Sequence, residues 1–197
     1  MSQAEEHIFL TNFEPIPKVF WSDLTGKPFE QCIMCERHLL EDGTQYLVEK
    51  AIKTYKGRYV KDTVFEYAIC MDCRDTMHEK LSEESRVALN GYFNSRFNPA
   101  ERVAKYEHGT VEERLKHCLL EGEEPSEGGE YQIYALCDGS DMINDLMPFM
   151  IRGESLEAVM HLISAKSLDE LNGFMKENFT GPPEFKEILD GGPRVFI

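Results

Sequence analysis

Six cysteines occur in the chain, and four of them form two pairs of the same spacing, Cys32-Ile-Met-Cys35 and Cys70-Met-Asp-Cys73, with 34 residues between the pairs. Each Cys-x-x-Cys turn aims two sulfurs at one point. Two such pairs supply the four thiolates of a closed tetrahedral site, which in a reducing compartment points to a structural Zn²⁺. A closed set leaves no coordination position for substrate or water, so this chemistry holds structure and does not turn over a substrate.

Other residue types that could do chemistry are more scattered. Cys118 and Cys137, with His117 or His161, could form a second metal site or a thiol nucleophile with its base. The alternative is two small buried cysteines that serve packing. His38 and His78 follow the two pairs closely enough to replace a ligand or to donate to one, or else lie on a turn and a helix without that role. Residues 138–145, Asp-Gly-Ser-Asp-Met-Ile-Asn-Asp, lack the spacing and the twelfth-position glutamate of a calcium loop and read as a polar turn and helix cap. No phosphate-binding loop, dinucleotide fingerprint, nucleophile elbow or His-Glu-x-x-His motif occurs.

Composition sets the class. Hydrophobic residues make up 42% and charged residues 29%, the balance of a folded globular protein. No apolar run approaches the roughly 20 residues of a membrane span. The acidic N-terminal stretch does not read as a signal peptide, so the expected compartment is the cytoplasm, where paired cysteines more often bind metal than form disulfides. The net charge of −15 is uneven: residues 1–108 carry 14 basic and 18 acidic groups, and residues 109–197 carry 7 and 18. Nucleic-acid binders usually show a basic stripe. The only candidate is Lys50, Lys53, Lys56, Arg58 and Lys61, which also fits an ordinary solvated hairpin.

The elements that must position the cysteines follow from periodicity. Residues 1–30 form an arm whose Pro15, Pro17 and Pro28 forbid a long helix and whose Ile8, Phe9, Leu10, Phe13, Val19, Phe20 and Trp21 should pack on a core. Residues 24–28 read as a turn. Strands are expected over 46–52 and 59–69 around a polar glycine turn, which makes a hairpin between the cysteine pairs. A helix should open at the second pair and run to about 97, with a restart capped by Ser82. Asn98-Pro99 starts another helix, and Thr110-Val-Glu-Glu113 is a capping box. After an acidic glycine-rich loop over 121–130, strands are expected at 131–137 and 147–151. Helices follow from Ser155 and from a second capping box at Ser167–Glu170, with Leu168, Leu171, Phe174 and Met175 inward. Gly181-Pro-Pro183 should break the last helix before a short helical turn over 184–189 and a strand over 194–197.

The order knuckle, hairpin, second pair at a helix start resembles the treble-clef zinc finger over residues 30–95. That resemblance implies a fold and a metal held by Cys32, Cys35, Cys70 and Cys73, but no activity. The hairpin over 44–69 has no histidine, which separates it from the nuclease branch of that superfamily. Rubredoxin-type iron sites use the same ligands, but their loops usually carry glycine after the pairs, where Glu36 and Arg74 stand here. A thioredoxin-type redox pair fits Cys70–Cys73 locally, although the first pair favours metal.

The sequence therefore predicts an α+β protein: a treble-clef-like zinc-binding unit in residues 1–108 and a small acidic α+β region in 109–197. The expected role is a non-catalytic, cytoplasmic protein-interaction module with a protein partner, nucleic acid and membrane being disfavoured. Enzyme or redox chemistry near Cys118 and Cys137 is the alternative, and nucleic-acid binding through residues 50–61 the weaker one.

Overall fold

The computed structural model describes residues 12–178. The expected packing of Ile8, Phe9 and Leu10, the break at 181–183, the helical turn over 184–189 and the strand over 194–197 lie outside the described residues. Six antiparallel strands make one sheet: β1 (Asn12–Pro15), β2 (Gln45–Tyr55), β3 (Arg58–Cys70), β4 (Glu130–Asp138), β5 (Asp141–Asn144) and β6 (Phe149–Arg152). The strand order is β1-β5-β4-β2-β3, and β6 also pairs with β4.

β4 is the spine of the sheet. Along one edge it pairs with β2 from Gln45↔Asp138 to Lys53↔Glu130. On its other edge, β6 takes the first half and β5 the end. The regions on either side of residue 108 therefore contribute to one sheet and one core. The hairpin expected between the cysteine pairs is β2–β3, with strands longer than their apolar runs. Its turn contracts to Lys56-Gly57, where Gly57 supplies the positive φ of 68°.

Six α-helices and a 3₁₀ turn at Lys18–Phe20 complete the described residues: α1 (Met71–Lys80), α2 (Glu83–Asn94), α3 (Pro99–Lys105), α4 (Val111–Lys116), α5 (Gly153–Met160) and α6 (Ala165–Asn178). Ser82 caps α2, Asn98 accepts from the amides of Ala100 and Glu101, and the Thr110–Glu113 capping box is complete. The second capping box is not where it was expected. α6 begins at Ala165, with the Ser164 hydroxyl accepting from the Ser167 amide at 3.3 Å. Ser167 is instead buried between two helix starts. Its hydroxyl accepts from the Ser82 amide at 2.8 Å, while the Ser85 hydroxyl accepts from the Ser164 amide at 2.9 Å. Each helix thus satisfies an open amide of the other. The segment 138–145 is also different: it forms the β4–β5 turn at Gly139-Ser140 and then a strand, because Met142 and Ile143 are buried against the sheet.

The arm packs only in part. Ile16 and Phe20 are buried and Trp21 is partly so, but Phe13 and Val19 are exposed. Two buried arginines fix the far side. Arg102 donates to the carbonyls of Leu146 and Pro148, at 2.8 and 2.7 Å, and Arg114 donates to those of Asp145 and Tyr106, at 2.8 and 2.5 Å. The acidic loop is tied down by its own charges. Arg152 pairs with Glu121 and Glu123, Lys116 with Glu124 and Lys53 with Glu130, and Glu127 accepts from the Gly57 amide.

β2 carries a buried charged residue on each face. Lys50, only 2% exposed, meets Asp23 at 2.8 Å and Glu66 at 3.0 Å and donates to the Trp21 carbonyl. Glu66 also accepts from the Ser22 hydroxyl and the Asp23 amide, so this cluster fastens the arm to the sheet. On the opposite face Glu49, 3% exposed, accepts from the Tyr67 hydroxyl at 2.5 Å. Lys50→Met leaves two carboxylates facing each other without their cation. Because Asp23 stays in water, the expected loss in urea unfolding is about 2–3 kcal/mol, below that of a fully buried pair. No change would show that the arm is held by other contacts.

Burial pushes the Glu49 carboxyl up to about 8, against the lowering effect of the Tyr67 hydrogen bond. Since the folded value lies above the unfolded value near 4.5, stability is greatest below pH 4.5, falls as pH rises toward 8 and then levels. Glu49→Gln removes this dependence. Urea unfolding at pH 5 and pH 8 should show a larger gain for the variant at pH 8, and an equal difference at both would contradict an un-ionised Glu49.

Candidate metal centre

Each cysteine pair sits on a turn the backbone must make for other reasons. The first is a knuckle. The Glu36 amide donates to the Cys32 carbonyl and the Cys32 amide to the Arg37 carbonyl, both at 2.9 Å, and Gln31 bridges to His38. Closing this turn puts Glu36 at φ 59°, the one non-glycine residue with positive φ among the described residues. The Ile33 amide donates to the Ala68 carbonyl at 2.9 Å and docks the knuckle on β3. The second pair lies where β3 becomes α1: Cys70 ends the strand and caps the helix with extended backbone, and Cys73 is in the first helical turn. The Arg37–Asp72 ion pair at 2.6 Å also links knuckle and helix, but at that exposure it contributes little.

The four sulfurs of Cys32, Cys35, Cys70 and Cys73 lie within 4.8 Å of one another. Cys35 Sγ and Cys70 Sγ are 3.7 Å apart, too far for a disulfide. Metal–sulfur bonds of about 2.3 Å in a tetrahedron give edges of about 3.8 Å, so the separation fits a shared divalent ion. Cys32 and Cys70 are buried, Cys73 is half-buried and Cys35 is exposed, so one edge of the site reaches the surface. The Cys70 amide donates to Cys32 Sγ at 3.4 Å, an orientation that favours thiolate. Burial raises the Cys32 thiol, but hydrogen bonds from the backbone at Cys70, Cys35 and Met34 outweigh it and bring it down to about 7. Cys70 and Cys73 are pushed up, by burial first and then by their sulfur neighbours. Four thiolates at this spacing repel one another, and a divalent cation is the counter-charge that lets all four ionise together.

The remaining candidates do not join this cluster. His38 is exposed, and His78 lines a separate small cavity. Cys118 is buried with its sulfur 3.4 Å from the Ser155 hydroxyl, and Cys137 is buried beside Tyr46, which faces it across β2 and β4. Among the described residues, only the four-cysteine set brings three or more ligand atoms together. Of the basic hairpin residues, Lys50 is buried in its ion pairs, Lys53 meets Glu130 and Lys61 donates to the Tyr131 hydroxyl. The Lys50 and Glu49 sites were missed from sequence. Alternation places the adjacent Glu49 and Lys50 on opposite faces of the strand, and that both faces are covered is not a local signal.

No protein-family model, no curated protein and no solved structure matches the chain. No helix is long and apolar enough to cross a membrane, among the described residues.

The left-handed turn at Glu36 is a test of the knuckle. A β-branched side chain there costs about 1–2 kcal/mol, whereas glycine relieves the conformation. Glu36→Val should therefore lower the denaturation midpoint of metal-loaded protein, and Glu36→Gly should hold or raise it. The reverse order would contradict the knuckle geometry.

Proposed function

We propose that the protein is a non-catalytic zinc-binding protein in which Cys32, Cys35, Cys70 and Cys73 hold one Zn²⁺. The site acts as the staple of a treble-clef-like unit made of the knuckle, the β2–β3 hairpin and α1. The observation that carries this reading is the convergence of four sulfurs, two from a knuckle and two from a strand-to-helix junction, with every tetrahedral position taken. The element order supports the treble-clef likeness, because the hairpin lies between knuckle and helix and all three meet at the sulfurs.

A metal site of this kind is folding energy, on the order of 10 kcal/mol in isolated finger peptides. In this chain it joins the knuckle to the end of β3, and β3 lies at the sheet edge with β2 as its one partner strand among the described residues. The free energy is thus spent where the sheet has least support. We read the protein as a cytoplasmic interaction module whose partner is a protein with a basic surface, since the net charge of −15 attracts such a surface and repels phosphate backbones.

Elemental analysis of the purified protein should give one zinc per chain, and a strong chelator should lower the unfolding midpoint. The Cys70→Ser, Cys73→Ser variant should bind no zinc and show no response to chelator. Iron in place of zinc, or a chelator response that survives in the variant, would overturn the assignment. Association with a basic partner should weaken steeply as salt is raised.

A further inference from the structure

The space over Glu49 is built unlike the rest of the core. β3, β2 and β4 place Tyr67, Glu49 and Tyr134 in one row, since Glu49 pairs with both tyrosines across the strands. Leu47 and Ile69 continue this face, and Met77, Leu81 and Leu171 stand over it. A cavity of about 30 Å³ remains among them. Since about 10–15 Å³ of such space suffices for a water, it has room for one small polar head group. Glu49 is 3% exposed, and only Oε2 is used, by Tyr67. Oε1 is buried with no hydrogen-bond partner. A buried carboxyl with one atom left open costs about 1–3 kcal/mol, a cost that a hydrogen-bonding group in the cavity removes.

A second, wider space of about 200 Å³ shares Met77 and Leu171 in its walls. Met34 and Phe174 give it an apolar floor, and Asp169, Glu170 and Glu177 line it together with Lys80. The two spaces match a slender apolar stem that ends in a cationic donor. An acidic rim around an apolar groove favours a cation over an anion.

We propose that this cavity and groove bind a primary alkylammonium, with the ammonium donating to Glu49 Oε1 and the alkyl stem lying against Met77, Leu171 and Phe174. The sulfurs of the metal centre take no part, so the proposal stands apart from the zinc reading. Among the described residues, the charged and titratable groups facing Glu49 are Tyr67 from β3, Tyr134 from β4, and Arg74 and His78 from α1, and α6 contributes Leu171 to the cavity. Arg74 is matched by Asp75 at 2.9 Å, and burial holds His78 below its usual value. Because burial keeps Glu49 protonated near neutrality, binding exchanges a proton for the ligand: the acid loses H⁺ to solvent and the carboxylate accepts from the ammonium. The same chemistry is offered by a free amine or by a lysine side chain of a protein.

Calorimetric titration of the metal-loaded full chain with n-butylammonium, n-butanol and butyrate tests this. Only n-butylammonium should bind, with one proton released. Its affinity should rise about tenfold per pH unit from pH 6 to 8 and level above. Glu49→Gln should weaken it at least tenfold, and Leu171→Trp, which fills the space the stem would occupy, should abolish it. Nα-acetyl-lysine methylamide binding as well as n-butylammonium identifies a protein lysine as the source, and its exclusion identifies a free amine. Binding of butanol or butyrate in place of the amine, equal affinity in Glu49→Gln, or no binding at any pH would overturn the proposal.

Discussion

Four sulfurs within 4.8 Å of one another are the constraint on which the rest of the structure depends. Like-charged thiolates do not gather there by packing, and buried thiols alone give no reason for two turns to meet at one point. The knuckle must close with a left-handed residue at Glu36, and β3 must end where α1 begins. Both requirements fix the register of the hairpin. Tyr46 opposite Cys70 and Cys137 then sets the register of β4. The position of the central strand is thus linked, through one pairing, to the metal centre.

Around that frame the fold satisfies its buried polar groups mostly with backbone and with short local partners. The arginines Arg102 and Arg114 meet carbonyls instead of carboxylates. Four serines at the starts of α2 and α6 cap each other's helices. The carboxylates of the 121–130 loop are largely paired within the chain. Glu49 leaves one buried oxygen without a partner, as Glu14, Arg114, His117, Asn144 and Arg152 each leave one atom, and it lines a small cavity with Leu47, Ile69, Met77 and Leu171.

The cysteine pairs were legible in the sequence because their spacing is itself the geometry, and the hairpin and helices near them because alternation and caps are local signals. Ser82, Asn98 and Thr110 mark real helix starts. Ser167 misled because a Ser-x-x-Glu pattern says nothing about a serine three residues earlier, and the hydroxyl was needed by another helix. The turn and strand at 138–145 were hidden by five polar side chains that flank two buried apolar ones, Met142 and Ile143. What sequence could not reach is non-local pairing. Nothing in residues 130–138 says that their partner is β2, more than 75 positions away, and the two buried charges of β2 take their meaning from that pairing.

The proposed role follows from a site that has no open position and from a charge balance that favours basic partners. X-ray absorption at the zinc edge of the purified protein tests the central claim most directly. Four sulfur neighbours at about 2.3 Å and no nitrogen or oxygen in the inner sphere is the predicted result. A shell that contains histidine nitrogen or water, or fewer than four sulfurs, would contradict a closed four-cysteine staple.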